Sequence, residues 1–340
     1  MTTERASRRG RSVSFLKRLV ASPKVRATVL VVLLAVAVLS LARQWNHVHR
    51  DLRRLSVGDL VVAGLVGALP VLAGGMAWRA LLAALGESLP TRTAVPAFAI
   101  GQLGKYVPGS VWPVVMQGEL AHRQGVRRDR AVPASLLSLA LSLGGSLIVG
   151  VVALGIAGDL PAWLLVVLAV AALAGLAGLH PPVLTRIVDR GLRLARRPPL
   201  AAPLHRRSLL TALLWTCLGS LALGVHAWLL ARALGGHAGA PVARSIGGFS
   251  LAWLAGFVVP IAPAGGGVRE FVLYATFTPV LGHHRAYALA AVSRLLLTFV
   301  DLVTSGLAAL LLRLRAGDDS RRHRSSSSPG NGPSAVPGPG

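Results

Sequence analysis

The segment TAVPAFAIGQLGKYVPGSVWPVVMQGELA at residues 93–121 decides the fold, because it is apolar at both ends and interrupted in its middle. Proline removes a backbone donor and glycine lowers helix propensity, so GKYVPGSVWP at 104–113 cannot continue as a regular helix. A second segment, at 245–281, is broken by PIAPAGGGVRE at 260–270. The pieces beside each break are mostly too short to cross a bilayer, which takes about 20 residues. We expect two re-entrant helical hairpins, since such backbone is stable at membrane depth only inside protein or beside a wet cavity.

Uninterrupted apolar runs of membrane-spanning length surround these two segments. We expect six full spans, at 27–42, 59–83, 131–157, 160–180, 208–232 and 285–313. The predicted fold class is therefore all-α, a polytopic membrane helix bundle of six spans and two re-entrant hairpins. Three of the spans separate the hairpins, so the second hairpin would be inverted relative to the first, which is the inverted-repeat logic of secondary transporters.

The composition also favours a membrane protein over a soluble enzyme. Hydrophobic residues make up 53% of the chain and charged residues 14%, whereas soluble domains carry about a quarter charged residues. The net charge of +24 suits either nucleic acid or an anionic membrane surface. The apolar runs favour the membrane, so the expected partners are membrane lipids and the anionic cytoplasmic leaflet, with no nucleic acid.

The distribution of arginine predicts the topology. Arginines concentrate in the loops at 118–130 and 181–207, and placing these loops in the cytoplasm satisfies the positive-inside rule. The arginines of segment 43–57 are the exception. We expect a bacterial inner-membrane protein with both termini cytoplasmic. Its parts would be a basic cytoplasmic tail at 1–26, a membrane domain at 27–315 and a disordered cytoplasmic tail at 316–340.

Few ionisable residues fall within the predicted hydrocarbon region, where each costs several kcal/mol unless it is paired or hydrated. Arg294 and Asp301 are seven residues apart, so they share a helix face but lie about 10 Å apart along the axis. We therefore expect their partners to come from the hairpins. Glu119 or Glu270 would pair with Arg294, and Lys105 with Asp301.

Both breaks contain groups that could bind an anion. Lys105 and Tyr106 stand where Pro108 and Gly109 leave backbone amides unpaired, and a cation beside free amides suits a phosphate. The alternative is that Lys105 snorkels to a lipid headgroup.

At the second break, Gly265, Gly266 and Gly267 allow close backbone approach before the helix that carries Arg269. The guanidinium fork of Arg269 could hold a phosphate. Glu270 would pair with a buried cation or relay a proton, and a local structural ion pair is the alternative reading.

No sequence motif indicates catalysis. The chain contains no HExxH, no GxSxG, no nucleotide P-loop and no metal-ligand set. We therefore expect no catalytic residue, no metal and no cofactor. Cys217 and His226, which both lie in an apolar run, are interpreted as packing residues.

The two broken segments resemble the lysylphosphatidylglycerol synthase transmembrane-region family, also called the flippase-like family. The matching features are GKYVPGSVWP with the Gly118-Glu119 pair that follows, and PIAPAGGGVRE; the resemblance covers roughly residues 20–315. It implies a membrane bundle that moves or handles lipids. In the bacterial multiple peptide resistance factors, this region flips aminoacylated phosphatidylglycerol to the outer leaflet.

The resemblance implies a set of residues along a lipid pathway. These are Lys105, Tyr106, Pro108, Gly109, Glu119, Gly265, Gly266, Arg269 and Glu270. Trp112, Gly267, Arg294 and Asp301 complete the candidate substrate-binding residues.

The leading expectation is a translocase for an anionic or aminoacylated phospholipid or a lipid-linked precursor. The peptide resistance factors carry a large soluble aminoacyl-transferase domain after the membrane part, but only the tail at 316–340 follows the predicted membrane domain here, so the resemblance does not carry synthase activity over to this chain. Two alternatives stay open. One is a membrane glycosyltransferase or its accessory subunit, and the other is a non-transporting scaffold that recruits partners through 181–207. The sequence does not indicate the oligomeric state.

Overall fold

A computed structural model of the chain describes residues 55–107, 111–158, 160–194, 196, 198–200, 203–235, 242–258 and 267–326, with side chains as far as 315. This part of the chain contains ten α-helices and no strand: α1 (Val57–Ala84), α2 (Thr91–Gln102), α3 (Trp112–Arg123), α4 (Arg128–Ala157), α5 (Ala162–Gly178), α6 (Pro181–Leu194), α7 (Arg206–Ala233), α8 (Val242–Val258), α9 (Val268–Leu281) and α10 (His283–Ser326). A 3-10 turn at Leu103–Tyr106 follows α2. The predicted all-α class is confirmed for these residues.

Four helices, α1, α4, α7 and the His283–Arg315 part of α10, are long and apolar enough to cross a membrane. They correspond to four of the six expected spans, and the expected span at 27–42 lies outside the described residues. The remaining expected span, at 160–180, is shorter than expected, because α5 ends at Gly178 and α6 begins at Pro181 after a bend of 73°. Proline favours the first turn of a new helix over continuation of the old one. Counted as one span, the bent pair raises the number of candidate spans to five.

The outward faces of the long helices are apolar. On α1, Val61, Leu65, Leu69 and Leu72 are all exposed and recur at helical spacing along one side. The exposed residues of α7 follow the same spacing at Leu210, Leu214, Leu218 and Leu221. Soluble proteins rarely expose such continuous apolar stripes, so these faces fit lipid contact.

The first hairpin consists of α2, the 3-10 turn and α3, which run back along each other. A Cβ atom added to Gly101 would lie 3.2 Å from the backbone nitrogen of Gln117, and one added to Gly104 would lie 2.7 Å from that of Pro113. The residue nearer the start of the first arm, Gly101, contacts the residue farther along the second arm, Gln117, so the two arms are antiparallel. Glycine is therefore needed where the two arms touch.

The second hairpin consists of α8 and α9, which pack against each other. A Cβ atom on Gly248 would collide with the side chain of Thr276. The predicted helix–break–helix pattern is present in both segments, although the breaks at 108–110 and 259–266 lie outside the described residues. Re-entry of either hairpin into a bilayer stays a prediction.

The helices form two groups of the same order, a long helix, a hairpin and a second long helix. The first group contains α1 to α4 and the second contains α7 to α10. The first helices of the two groups, α1 and α7, pack on each other. In addition, α4 of the first group packs on α8 of the second, and α10 of the second group packs on α2 of the first. Each hairpin therefore contacts a long helix of the other group. The expected inverted repeat stays a prediction.

Helix α6 is amphipathic and lies on the surface. Leu184, Val188 and Leu192 are buried in a core cluster that also contains Trp78 of α1 and Leu141 of α4. The arginines of α6 are all exposed. At the other end of the chain, α10 continues to Ser326, so helix extends into the 316–340 segment that we expected to be disordered.

Candidate functional site

Both hairpins face one internal cavity, with a volume of about 200 Å³. Helices α1, α4, α7 and α10 complete its wall. The charged residues that line it are Lys105, Arg269, Arg294 and Asp301. These four residues, which are far apart in the sequence, were all expected to be substrate-binding, and the fold brings them together.

Asp301 binds two consecutive residues of the first hairpin. Its Oδ2 atom lies 2.7 Å from Nζ of Lys105 and accepts a 2.6 Å hydrogen bond from the hydroxyl of Tyr106. Asp301 is buried, so the two donors replace the water that its charge would otherwise need. The expected pairing of Asp301 with Lys105 is confirmed.

Arg294 binds the second hairpin through Glu270. The guanidinium Nη1 donates to Oε1 of Glu270 over 3.1 Å. Of the two expected partners, Glu119 and Glu270, the structure therefore shows Glu270. The other carboxylate oxygen, Oε2, accepts the backbone N–H of Gly267 at the start of α9. Gly267 has a φ of +86°, a conformation that glycine adopts without strain. Glu270 therefore caps α9 and anchors it to α10.

Arg269 is a buried cation of the cavity wall that has no acidic partner among the described residues. Only 8% of its surface is exposed, and its guanidinium carbon lies 4.6 Å from the ring centre of Phe249 and 5.9 Å from that of Trp253. Its Nη2 atom is buried and has no hydrogen-bond partner in the part of the chain that the structure describes. The aromatic rings compensate part of the charge, and the unpaired donor in a cavity wall can bind an anion.

A row of hydroxyl groups forms another wall of the cavity. Ser135, Ser138, Ser142 and Ser146 all line it from α4, and their spacing of three to four residues places them on one helix face. Ser135 accepts a hydrogen bond from the indole of Trp78 over 3.0 Å. The sequence analysis missed this row, although the spacing in SLLSLALSLGGS at 135–146 is a helical signal.

The outer two serines of the row are held by the neighbouring structure, whereas the middle two are not. Ser146 lies 2.8 Å from the hydroxyl of Ser220 on α7. The side chains of Ser138 and Ser142 make no hydrogen bond within the described part of the chain. The amide of Gln117, a buried residue of the first hairpin, also lines the cavity.

The remaining candidate residues lie elsewhere. Glu119 contacts Arg123 at 3.4 Å and Arg128 at 3.1 Å on the exposed end of α3 and does not line the cavity; its place in the hydrocarbon region stays a prediction. The inward face of α3 carries Val114 and Gln117, and two residues further the helix has turned by about 200°. Trp112, Gly267 and Glu270 do not line the cavity. Pro108, Gly109, Gly265 and Gly266 lie outside the described residues.

His226 connects three long helices. Its Nδ1 atom lies 2.9 Å from the carbonyl oxygen of Ala63 on α1, and its Nε2 atom lies 3.0 Å from the hydroxyl of Ser293 on α10. In the neutral ring, Nδ1–H donates to the carbonyl and Nε2 accepts from Ser293. The ring is fully buried, which fits the packing role that the sequence suggested. Among the described residues, no group of three or more potential ligands could hold a metal ion.

The long apolar helices and their exposed apolar faces define a multi-pass α-helical membrane protein. The family model described as the lysylphosphatidylglycerol synthase TM region matches residues 26–305. The chain therefore belongs to this family, as the two broken segments suggested. No curated protein matches the chain.

Proposed function

We propose that this protein is a lipid translocase that draws the anionic headgroup of a membrane lipid into the cavity while the acyl chains stay in the bilayer. The observation that carries this proposal is Arg269, a buried guanidinium with an unpaired donor in the cavity wall. A cation within a membrane is costly and marks a ligand or ion pathway more often than a structural contact. Membership of a family named for a lipid-modifying enzyme supports a lipid as the ligand.

The other buried charges of the cavity are already compensated. Lys105 is paired with Asp301, and Arg294 with Glu270. The phosphate of a headgroup would supply the anion that Arg269 lacks, through two oxygens that match the guanidinium fork. Lys105 and Arg294 would add long-range attraction without having to give up their partners.

The hairpins would provide the movement. Each is connected to α10 by an ion pair, and each packs against a long helix of the other group. If the groups are inverted copies, rocking one against the other would expose the cavity to each leaflet in turn. The proposal thus includes the re-entrant hairpins, the inverted repeat and a location in the bacterial inner membrane.

Transport by proteoliposomes tests the proposal. Phosphatidylglycerol and phosphatidic acid, each fluorescently labelled on one acyl chain, would be reconstituted with the full chain, and an impermeant quencher would report lipid arriving in the outer leaflet. We expect Arg269→Gln to slow the movement about tenfold or more, the cost of one charged hydrogen bond.

The matched control is Arg123→Gln, which removes an arginine at the exposed end of α3 and should leave the rate unchanged. Equal rates for the intact protein, Arg269→Gln and protein-free liposomes would refute the proposal. Turnover of a lipid-linked sugar donor in detergent would favour the glycosyltransferase instead.

A further inference from the structure

We infer that the headgroup bound in this cavity is a phosphate ester that carries free hydroxyl groups and no amino group. The inference rests on the proposed function, because it names the substrate of the same site. The structure assigns it through one juxtaposition: within the described residues, a buried guanidinium with an unpaired donor and uncharged hydrogen-bonding groups without protein partners line the same cavity. The class includes phosphoglycerol and sugar-phosphate headgroups and excludes aminoacylated ones.

The phosphate follows from Arg269. Its Nη2 donor is buried without a partner among the residues that the structure describes, and the rings of Phe249 and Trp253 hold the guanidinium in place. A buried donor of this kind requires an acceptor from the ligand or from water. A phosphate provides paired oxygens and a full negative charge, which a carbonyl or a hydroxyl does not.

The hydroxyl groups follow from Gln117, Ser138 and Ser142. All three line the cavity, and in the described part of the chain none of their side chains has a hydrogen-bond partner. Hydroxyls and amides can each donate and accept, so they match the hydroxyls of a polyol in either direction. A headgroup that ended at the phosphate would leave these groups to water.

The exclusion of an amino group follows from the carboxylates. Asp301 is the acidic residue among the described residues that line the cavity, and it is already bound by Lys105 and Tyr106. Glu270, just outside the wall, binds Arg294 and its own helix start. A headgroup ammonium would therefore enter a site with excess positive charge and, among the residues described, no available carboxylate, so like charges would repel.

Binding to the purified full chain in phosphatidylcholine nanodiscs tests the inference without requiring transport. The ligands would be short-chain phosphatidylglycerol, phosphatidic acid and lysylphosphatidylglycerol, with soluble glycerol phosphate as a fourth. Native mass spectrometry would give the apparent affinities. We expect phosphatidylglycerol to bind about fivefold more tightly than phosphatidic acid, a difference of one or two hydrogen bonds. It should bind about tenfold more tightly than the lysyl lipid, because the site repels the ammonium group.

A double variant, Ser138→Ala with Ser142→Ala, isolates the hydroxyl contribution. It should bring the affinity for phosphatidylglycerol down to that for phosphatidic acid, while the latter affinity stays unchanged. Ser208→Ala, near the start of α7 and outside the cavity lining, is the matched control and should keep the preference. Thermal unfolding of each variant would verify that it is folded.

Several results would overturn the inference. Binding of the lysyl lipid as tightly as phosphatidylglycerol would refute the exclusion of amines. Equal weakening of both anionic lipids in the double variant would refute the role of the hydroxyls. Soluble glycerol phosphate binding as tightly as phosphatidylglycerol would replace the lipid by a free phosphate ester.

The inference and the proposed function can fail separately. Selective binding without movement of lipid in proteoliposomes would refute translocation but keep the headgroup class. Movement of all three lipids at equal rates, with no difference in binding, would keep translocation and refute the headgroup class.

Discussion

Asp301 binds the first hairpin twice, because the 3-10 turn brings consecutive residues Lys105 and Tyr106 to the same carboxylate. A buried carboxylate that accepts one charged and one neutral hydrogen bond is stabilised by both. Seven residues earlier on the same helix, Arg294 forms an ion pair with Glu270 of the second hairpin. Two side chains of α10 thus determine where both hairpins lie.

Asp301→Asn tests this arrangement at the residue scale. The amide would retain an acceptor for Tyr106 but leave the charge of Lys105, which is 23% exposed, without its counter-ion. We expect a loss of about 1–3 kcal/mol of unfolding free energy, less than for a fully buried pair because water reaches Lys105. Thermal unfolding in detergent would measure it.

The double-mutant cycle with Lys105→Met provides the control for that loss. Since the neutral methionine removes the unpaired charge, Lys105→Met should cost much less in the protein that already carries Asp301→Asn than in the unmodified protein. Independent, additive effects of the two substitutions would contradict the pairing.

At the scale of elements, the first hairpin depends on close contact between its arms. A Cβ atom on Gly104 would lie 2.7 Å from the backbone of Trp112 and 2.7 Å from that of Pro113. Backbone atoms cannot move aside as a flexible side chain can. The glycine of GKYVPGSVWP is therefore required by the return of the chain, besides any effect on helix propensity.

Gly104→Ala should consequently separate the arms of the hairpin and lower the unfolding free energy by about 2 kcal/mol or more. Gly306→Ala on α10 is the matched control, because nothing lies within 4 Å of its added Cβ atom. Removing a helical glycine there should be neutral or stabilising by up to about 1 kcal/mol. Similar effects of both variants on the melting temperature would contradict this explanation of the hairpin.

At the scale of the whole molecule, the arginine distribution and the amphipathic helix α6 predict how the chain is oriented in the membrane. Placing α6 at the cytoplasmic surface would set its arginines against anionic headgroups, each contributing about 1 kcal/mol. The turn between α4 and α5 would then lie on the opposite side, because α4 is long enough to cross the bilayer.

Cysteine labelling in intact cells tests that topology. In a Cys217→Ser background, which removes the single native cysteine, Ala162→Cys at the start of α5 should react with an impermeant maleimide. Arg193→Cys at the end of α6 should react only after the cells are opened. Labelling of both positions in intact cells would contradict the proposed orientation.

The sequence itself determined the membrane class, most of the long helices and the position of both breaks. Apolar length and the loss of backbone donors at proline are local properties, which any reader of residues 93–121 can evaluate. It also predicted that Asp301 pairs with Lys105, because buried charges of opposite sign need each other and few were available.

Only the tertiary structure decided which charges face the cavity. Glu119 belongs to the same broken segment as Lys105, yet it lies at the exposed end of α3 with Arg123 and Arg128. The unpaired state of Arg269 likewise depends on which neighbours reach it, and the serine row of α4 becomes a cavity wall only when both hairpins pack against it. Helix rotation and long-range packing set these contacts, and neither is a property of a single segment.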